Sequence, residues 1–301
     1  MTDYGHPITF GLSLDPSAHE LDATRQLAQA ADDGGLDYLA VQDHPYQPGH
    51  LDTWTMISHL AARTSRINFL TDVADLQLRP PTMLAKAGAS LGVLTGGRIV
   101  LGVGGGASAD AVAAMGGTRR TGGDTVAYTT EALQIMRRAL AGDVVRFAGA
   151  HLAVEGYRGG PVPPAPVPLW LGGQRPRMLT VAGRHSDGWI SPLNIYVPPE
   201  EVPSRQQIID EAARAAGRDP AVVRRIYNVI GTIGGSGGPG GTGLVGDAQL
   251  WVDTLTRWAV DLGFDTFIFW PTASPRSQLR AFTERVVPAV REQVREFRGQ
   301  R

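Results

Sequence analysis

Cysteine is absent from the 301 residues, which removes disulfides, thiolate metal sites and a cysteine nucleophile from consideration without fixing a compartment. Neither sign of charge is in excess: 28 basic residues stand against 29 acidic ones, a net charge of −1. The balance therefore calls for no nucleic acid and no anionic membrane as partner. No apolar run approaches the roughly 20 residues that span a bilayer. The opening stretch MTDYGHPITF has neither a basic start nor the apolar core of a secretory signal, so the expectation is a cytoplasmic protein. What is abundant is glycine, with 38 residues, and proline, with 21, beside a hydrophobic content of 43%. That is enough apolar material for one large α/β domain or two small ones, with many short strand-to-helix loops.

The most informative stretch runs from Arg66 to Gly106. Two apolar runs, Ile67–Thr71 and Ile99–Val103, flank a helical segment from Thr82 to Val93, a strand, crossover helix, strand unit. The first run ends in Asp72-Val73-Ala74-Asp75 and the second in Gly104-Gly105-Gly106. Two carboxylates beside a buried run, and three residues without a Cβ where backbone can approach a flat ring or an anion, lie where α/β folds put their sites. Further strands are read at Ile8–Leu14, Asp37–Val41, Leu169–Leu171, Gly188–Ser191, Arg225–Ile233 and Thr266–Trp270. Helical spacing is read over Glu20–Asp33, Thr53–Arg63 with Asp52 or Thr53 as cap, Asp124–Ala141, Arg175–Arg184, Glu200–Gly217, Asp247–Leu262 and Ser274–Phe297. A short hairpin, Val144–Phe147 with His151–Val154 around Gly149, and the Pro-rich run PVPPAPVP ending at Pro168 form an insertion after the fourth βα unit. Gly234–Gly243 is low in complexity and reads as a loop or lid. Eight strands alternating with about eight helices predict one domain over residues 1–301, a (β/α)8 TIM barrel rather than a doubly wound sheet, because an open eight-stranded sheet would still have two edges to cover.

A barrel gathers all strand ends on one rim, so Asp43-His44, Asp72-Val73, Gly104–Gly106, Gly172–Gln174, Ser191 and Trp270-Pro271 are expected to converge. Histidine titrates near neutrality, and the adjacent Asp43 can orient it or hold its charge, which makes His44 and Asp43 the catalytic candidates. The plain alternative is a polar turn before Pro45. The other six histidines lack that setting, and no pair of them has a metal-binding spacing with a carboxylate, so no metal is expected. Gly102–Gly106 matches a dinucleotide fingerprint only weakly, since that motif needs a helix at once and an acid about 20 residues on. Gly172, Gly173, Gln174 and Arg175 open a helix and could hold a phosphate through N–H groups and the helix dipole, or form a plain turn. Among the aromatics, Trp270 and Trp54 are the pocket candidates.

Several of these stretches together resemble the luciferase-like monooxygenase superfamily, and within it the branch that uses the deazaflavin coenzyme F420. The resemblance rests on VQDHP (Val41–Pro45), the segment from Thr71 to Gly106, AMGGTRRTGGDTVAYTTEAL (Ala114–Leu133), PLWLGGQRPRMLTVAGRHSDGWISP (Pro168–Pro192) and the segment from Gly246 to Pro271. It implies a barrel with the ring in its C-terminal mouth, a homodimer, Asp43 bonded near the ring and His44 carrying the proton that accompanies hydride transfer. It also implies a bulge after the third strand with a non-proline cis peptide at Asp72-Val73, continuing through Ala74, behind the ring. Gly104, Gly105, Gly106, Gly172, Gly173 and Gln174 fall where the family binds the ring edge, ribityl chain and phosphate, and Arg175 is a further candidate for holding the cofactor. Bacterial luciferase has an arginine aligned with Gly105 that helps bind FMN, and its absence favours F420 over FMN as the cofactor. The branch's sugar-phosphate dehydrogenase has a glutamate aligned with Ala107, and its absence argues against that reaction.

The function expected from these features is hydride transfer between F420 and a small organic substrate. The alternatives are an FMN-dependent monooxygenase fed by a separate reductase, and a flavin-binding barrel without turnover.

Overall fold

A computed structural model describes residues 3–235 and 242–300. Eight parallel strands form a closed ring in it: β1 (Thr9–Leu14), β2 (Tyr38–Val41), β3 (Asn68–Thr71), β4 (Ile99–Gly104), β5 (Leu169–Gly172), β6 (Gly188–Ser191), β7 (Arg224–Ile233) and β8 (Thr266–Pro271). Each pairs with the next, and β8 closes the ring by pairing Thr266 with Thr9 of β1 and with Ile226 of β7. Eight helices cover the ring: α1 (Leu21–Asp33), α2 (Thr53–Ala61), α3 (Pro81–Leu94), α4 (Gly122–Leu140), α5 (Pro176–His185), α6 (Val202–Ala215), α7 (Ala248–Leu262) and α8, which spans 275–299. The architecture is a (β/α)8 barrel.

Strand side chains alternate between two environments, as a period of two requires. Tyr38, Ala40, Leu70, Val100, Trp170, Ile190, Ile226 and Ile268 form a compact cluster inside the ring, where the Tyr38 and Trp170 rings meet edge to face at 5.5 Å. Their neighbours, among them Phe10, Leu39, Phe69, Leu101, Trp189 and Phe267, belong to the larger core between ring and helices. A filled interior leaves ligands only the rim.

The helix ends follow the expected chemistry. Asp52 accepts the Thr55 N–H at 2.9 Å to open α2, and Gly263 at φ 71° closes α7. Three features depart from the sequence reading. The hairpin's second strand is Ala153–Arg158 rather than His151–Val154, because the Glu131 carboxylate takes the N–H groups of Ala150, His151 and Leu152 into the turn. A short helix, Ala109–Ala114, fills the loop after β4 with Ser108 as its cap. The closing helix is broken by a π-helical turn, Phe282–Val286. Most of the glycine-rich segment read as a lid lies outside the described residues. No helix among the described residues is long and apolar enough to cross a membrane.

Candidate active site

The alternation that fills the barrel also aims its rim. Counting by two from Leu70 puts Asp72 on the inner side, and the same count from Ile226 and Ile268 puts Asn228 and Trp270 there. These side chains meet. Asn228 Nδ2 donates to Asp72 Oδ1 at 3.2 Å and to the Ser191 carbonyl at 3.2 Å, while Asn228 Oδ1 accepts the Trp270 indole N–H at 2.9 Å. One amide thus ties β3, β6 and β8 together across the mouth. Ser191 contributes only its carbonyl, since its side chain falls on the outer parity and is fully buried.

The peptide between Asp72 and Val73 is cis, and the chain then re-enters the sheet, with Ala74 and Asp75 pairing with Val103 and Gly104. Val73 is seated between two glycines. A Cβ on Gly104 would lie 2.6 Å from Val73 Cγ2, and one on Gly172 would lie 3.0 Å from Val73 Cγ1. The glycines therefore give their space first to this valine, which carries an apolar platform into the mouth. Gly104→Ala should push Val73 off its seat and cost about 1–3 kcal/mol by overpacking, read as a lowered urea midpoint; an unchanged midpoint would show that the valine relocates freely. Gly105 and Gly173 are crowded in the same way by Thr125 and Met178. Gly106, at φ 94°, makes the turn that only glycine adopts without strain.

Asp43 and His44 leave β2 in different directions. Asp43 is 1% exposed. Its Oδ2 accepts the Arg79 Nε–H and the Asp75 backbone N–H, each at 3.3 Å, and its Oδ1 accepts an Arg79 Nη2–H at 3.3 Å. Arg79 also bonds Asp52, so a single guanidinium anchors the β2 exit to the start of α2. Removing one partner of a buried ion pair leaves an uncompensated charge. Because Arg79 is partly exposed, Arg79→Ala is expected to lower stability by about 2 kcal/mol, measurable by thermal denaturation. A change indistinguishable from zero would mean that water replaces the guanidinium.

Asp43 therefore does not orient His44 by a hydrogen bond, as its adjacency suggested. The half-buried imidazole stacks on Tyr46 instead, with centroids 5.5 Å apart and planes 21° from parallel. Its ring nitrogens have no partner among the described residues. Burial and nearby His50 push its pKa below the usual histidine value, against the opposing pull of Asp43. The shift favours the neutral ring, and its nitrogens are free to bond an incoming group.

Two further carboxylates complete the mouth. Asp72 is 8% exposed, and burial drives its pKa up to about 7 against the small opposing effect of Asn228. Asp75 is also shifted upward, by burial first and by the charge of Asp43, opposed chiefly by the N–H of Gln77. Gln77 in turn donates to the Gly105 carbonyl and pins the glycine turn.

These groups surround a cavity of about 370 Å³ at the C-terminal ends of β2 to β7. Asp43, His44, Asp72, Val73, Gly104–Gly106 and Gly172–Gln174 all line it, so ten of the twelve positions expected from sequence meet at one hollow. Ala74 and Arg175 lie outside the lining: Ala74 is fully buried, and Arg175 is exposed at the start of α5 without a capping bond. Asp75, Asn228 and Tyr196 join the lining. No lysine or arginine does, among the described residues. A second hollow of about 380 Å³, lined in part by Ser13, Gln42, Ile230 and Trp270, opens on the β1 side. Trp270 thus stands at the rim as expected, whereas Trp54 is buried in the outer core.

The family model for luciferase-like monooxygenase matches residues 2–234. The F420-dependent glucose-6-phosphate dehydrogenase of Gordonia bronchialis is 33% identical over 189 residues, 60% of this chain and 56% of that protein. The 5,10-methylenetetrahydromethanopterin reductase of Methanolobus tindarius is 32% identical over 224 residues, 72% of this chain and 63% of that protein. The chain thus spans less than two thirds of the length of these relatives. Among solved structures, an F420-dependent secondary alcohol dehydrogenase in complex with an F420-acetone adduct superposes with a TM-score of 0.83 at 18% identity, covering 95% of this chain and 99% of that one. At that identity the likeness is one of fold.

Proposed function

The chain belongs to the luciferase-like monooxygenase family, and from that premise we propose that it is an oxidoreductase moving a hydride between coenzyme F420 and a small organic substrate. The observation that carries the reading is the joint placement of an imidazole, His44, and an apolar platform, Val73, on one cavity at the carboxyl ends of the strands. The residues suit a planar deazaflavin. Val73, held up by Gly104 and Gly172, offers a flat apolar face, and Asp72 Oδ2 is a buried polar atom without a hydrogen-bond partner.

When bound, the deazaflavin supplies a ring carbon that gives or takes a hydride and reacts poorly with oxygen. The chain does the rest. His44 takes the hydroxyl proton of a substrate being oxidised, or returns it in the reverse direction, through a ring nitrogen that no protein group occupies. Val73 and the Asn228 clamp fix the floor and exclude water from it. Gly104–Gly106 and Gly172–Gln174 would hold the coenzyme's side chain through backbone groups. Ala107 lines the cavity without an ionisable group, and the charges around it are carboxylates. Among the described residues no cation lines the cavity to pair with a phosphate on the substrate, which favours an uncharged alcohol or carbonyl compound over a sugar phosphate.

Titrating the apoprotein with F420 and with FMN, followed by quenching of tryptophan fluorescence, separates the readings. F420 is expected to bind at least tenfold more tightly. Preferential retention of FMN would favour the monooxygenase reading, and F420 binding with no turnover across a panel of small alcohols and ketones would favour a carrier.

A further inference from the structure

Asp72 is a buried carboxylate of the mouth to which the chemistry above gives no protonic role. It is more than nine-tenths buried, its Oδ1 is held by Asn228, and its Oδ2 has no hydrogen-bond partner. Among the described residues no cation pairs with it: Arg79 is committed to Asp43 and Asp52. The other titratable groups facing the cavity are Asp43 and His44 from the β2 exit, Asp75 from the strand beside β4, and Tyr196 from the loop after β6. β4 and β5 present glycines, β7 presents Asn228 and β8 the Trp270 indole, so among the described residues that line the hollow beside Asp72 none carries a positive charge that would hold it ionised. Because Asp72 lines the cavity, the cavity is its remaining route to water. A ring that fills the hollow closes that route and makes a charge on Asp72 harder still to keep.

We infer that Asp72 is a proton-carrying binding residue: the coenzyme is held with Asp72 as the neutral acid, whose O–H finds its acceptor on the bound ring, and filling the cavity at alkaline pH takes up one proton. This rests on the proposed F420 reading. The residue selects for an occupant with a hydrogen-bond acceptor turned toward the barrel axis, and it ties affinity to pH. With the free group titrating near 7, the dissociation constant rises up to about tenfold per pH unit above that point.

Equilibrium dialysis of F420 against the full chain and Asp72→Asn at pH 6, 7, 8 and 9 tests this, together with calorimetry at pH 8 in buffers of different ionisation enthalpy to count protons. Asparagine keeps the shape and the acceptor for Asn228, brings a donor, and cannot titrate. Wild type is expected to lose about 30- to 100-fold in affinity from pH 6 to 9 relative to the variant, and to take up about one proton at pH 8 where the variant takes up none. Dividing one profile by the other cancels the ionisation of the coenzyme itself. Asp72→Ser, which also removes the titrating group, should give the same flat ratio. Superimposable pH profiles, or equal proton uptake by wild type and both variants, would overturn the role of Asp72 while leaving the coenzyme assignment standing. Failure of every protein to retain F420 at any pH would overturn both.

Discussion

His44→Ala is expected to keep coenzyme affinity within about threefold and to lower turnover by about 10²–10⁴-fold, the usual contribution of a positioned acid/base. The ring makes no hydrogen bond within the described residues and is held by stacking on Tyr46, so its removal leaves the floor of Val73, Asp72 and Asn228 intact. The pH dependence supplies a second readout. Burial and His50 hold the imidazole pKa below its ordinary value of about 6.5. For substrate oxidation the neutral ring is the active form, so the rate is lost as pH falls through that lowered pKa, and the limb disappears in the variant. Equal loss of binding and turnover would assign His44 to the binding surface. Unchanged turnover would remove it from the chemistry.

Asp72→Asn is expected to stabilise the apoprotein, and to do so only as pH rises. The folded-state pKa of about 7 lies above the ordinary carboxylate value of about 3.9. Below pH 4 both folded and unfolded states carry the proton and the residue costs nothing through ionisation. Between pH 4 and 7 the unfolded chain releases the proton and the folded chain does not, so wild type loses about 1.4 kcal/mol per pH unit. Above pH 7 the penalty is complete, on the order of 4 kcal/mol, and asparagine escapes it. Urea unfolding of both proteins at pH 5, 6.5 and 8 should show the gap widening toward pH 8. A gap that is constant, or largest at pH 5, would mean that Asp72 is solvated in the folded protein.

Much of this was legible along the chain, because strands of a barrel announce themselves as apolar runs that stop abruptly. Val41, Thr71, Val103 and Leu171 mark such stops, and residues beyond them met at one cavity. Period two puts Asp72 on the side of its strand that carries Leu70, and the structure places that side inside the ring. What could not be read was pairing over long separations: Asn228 is 156 residues from Asp72 and Arg79 is 36 from Asp43, and neither carries a local signal for its partner. Adjacency gave the pull of Asp43's charge on His44 but not its hydrogen bonds, which go to Arg79. The glycines were found, but as a surface for ligand. Two of them serve Val73, a contact that exists only once β3, β4 and β5 lie side by side.

The most direct measurement is a crystal of the protein soaked with oxidised F420. Density for the deazaflavin ring in the hollow bounded by Val73, Asp72 and His44, with an imidazole nitrogen open toward the reacting face, is the expected result. A ring bound elsewhere, or a His44 side chain turned away from an occupied cavity, would contradict it.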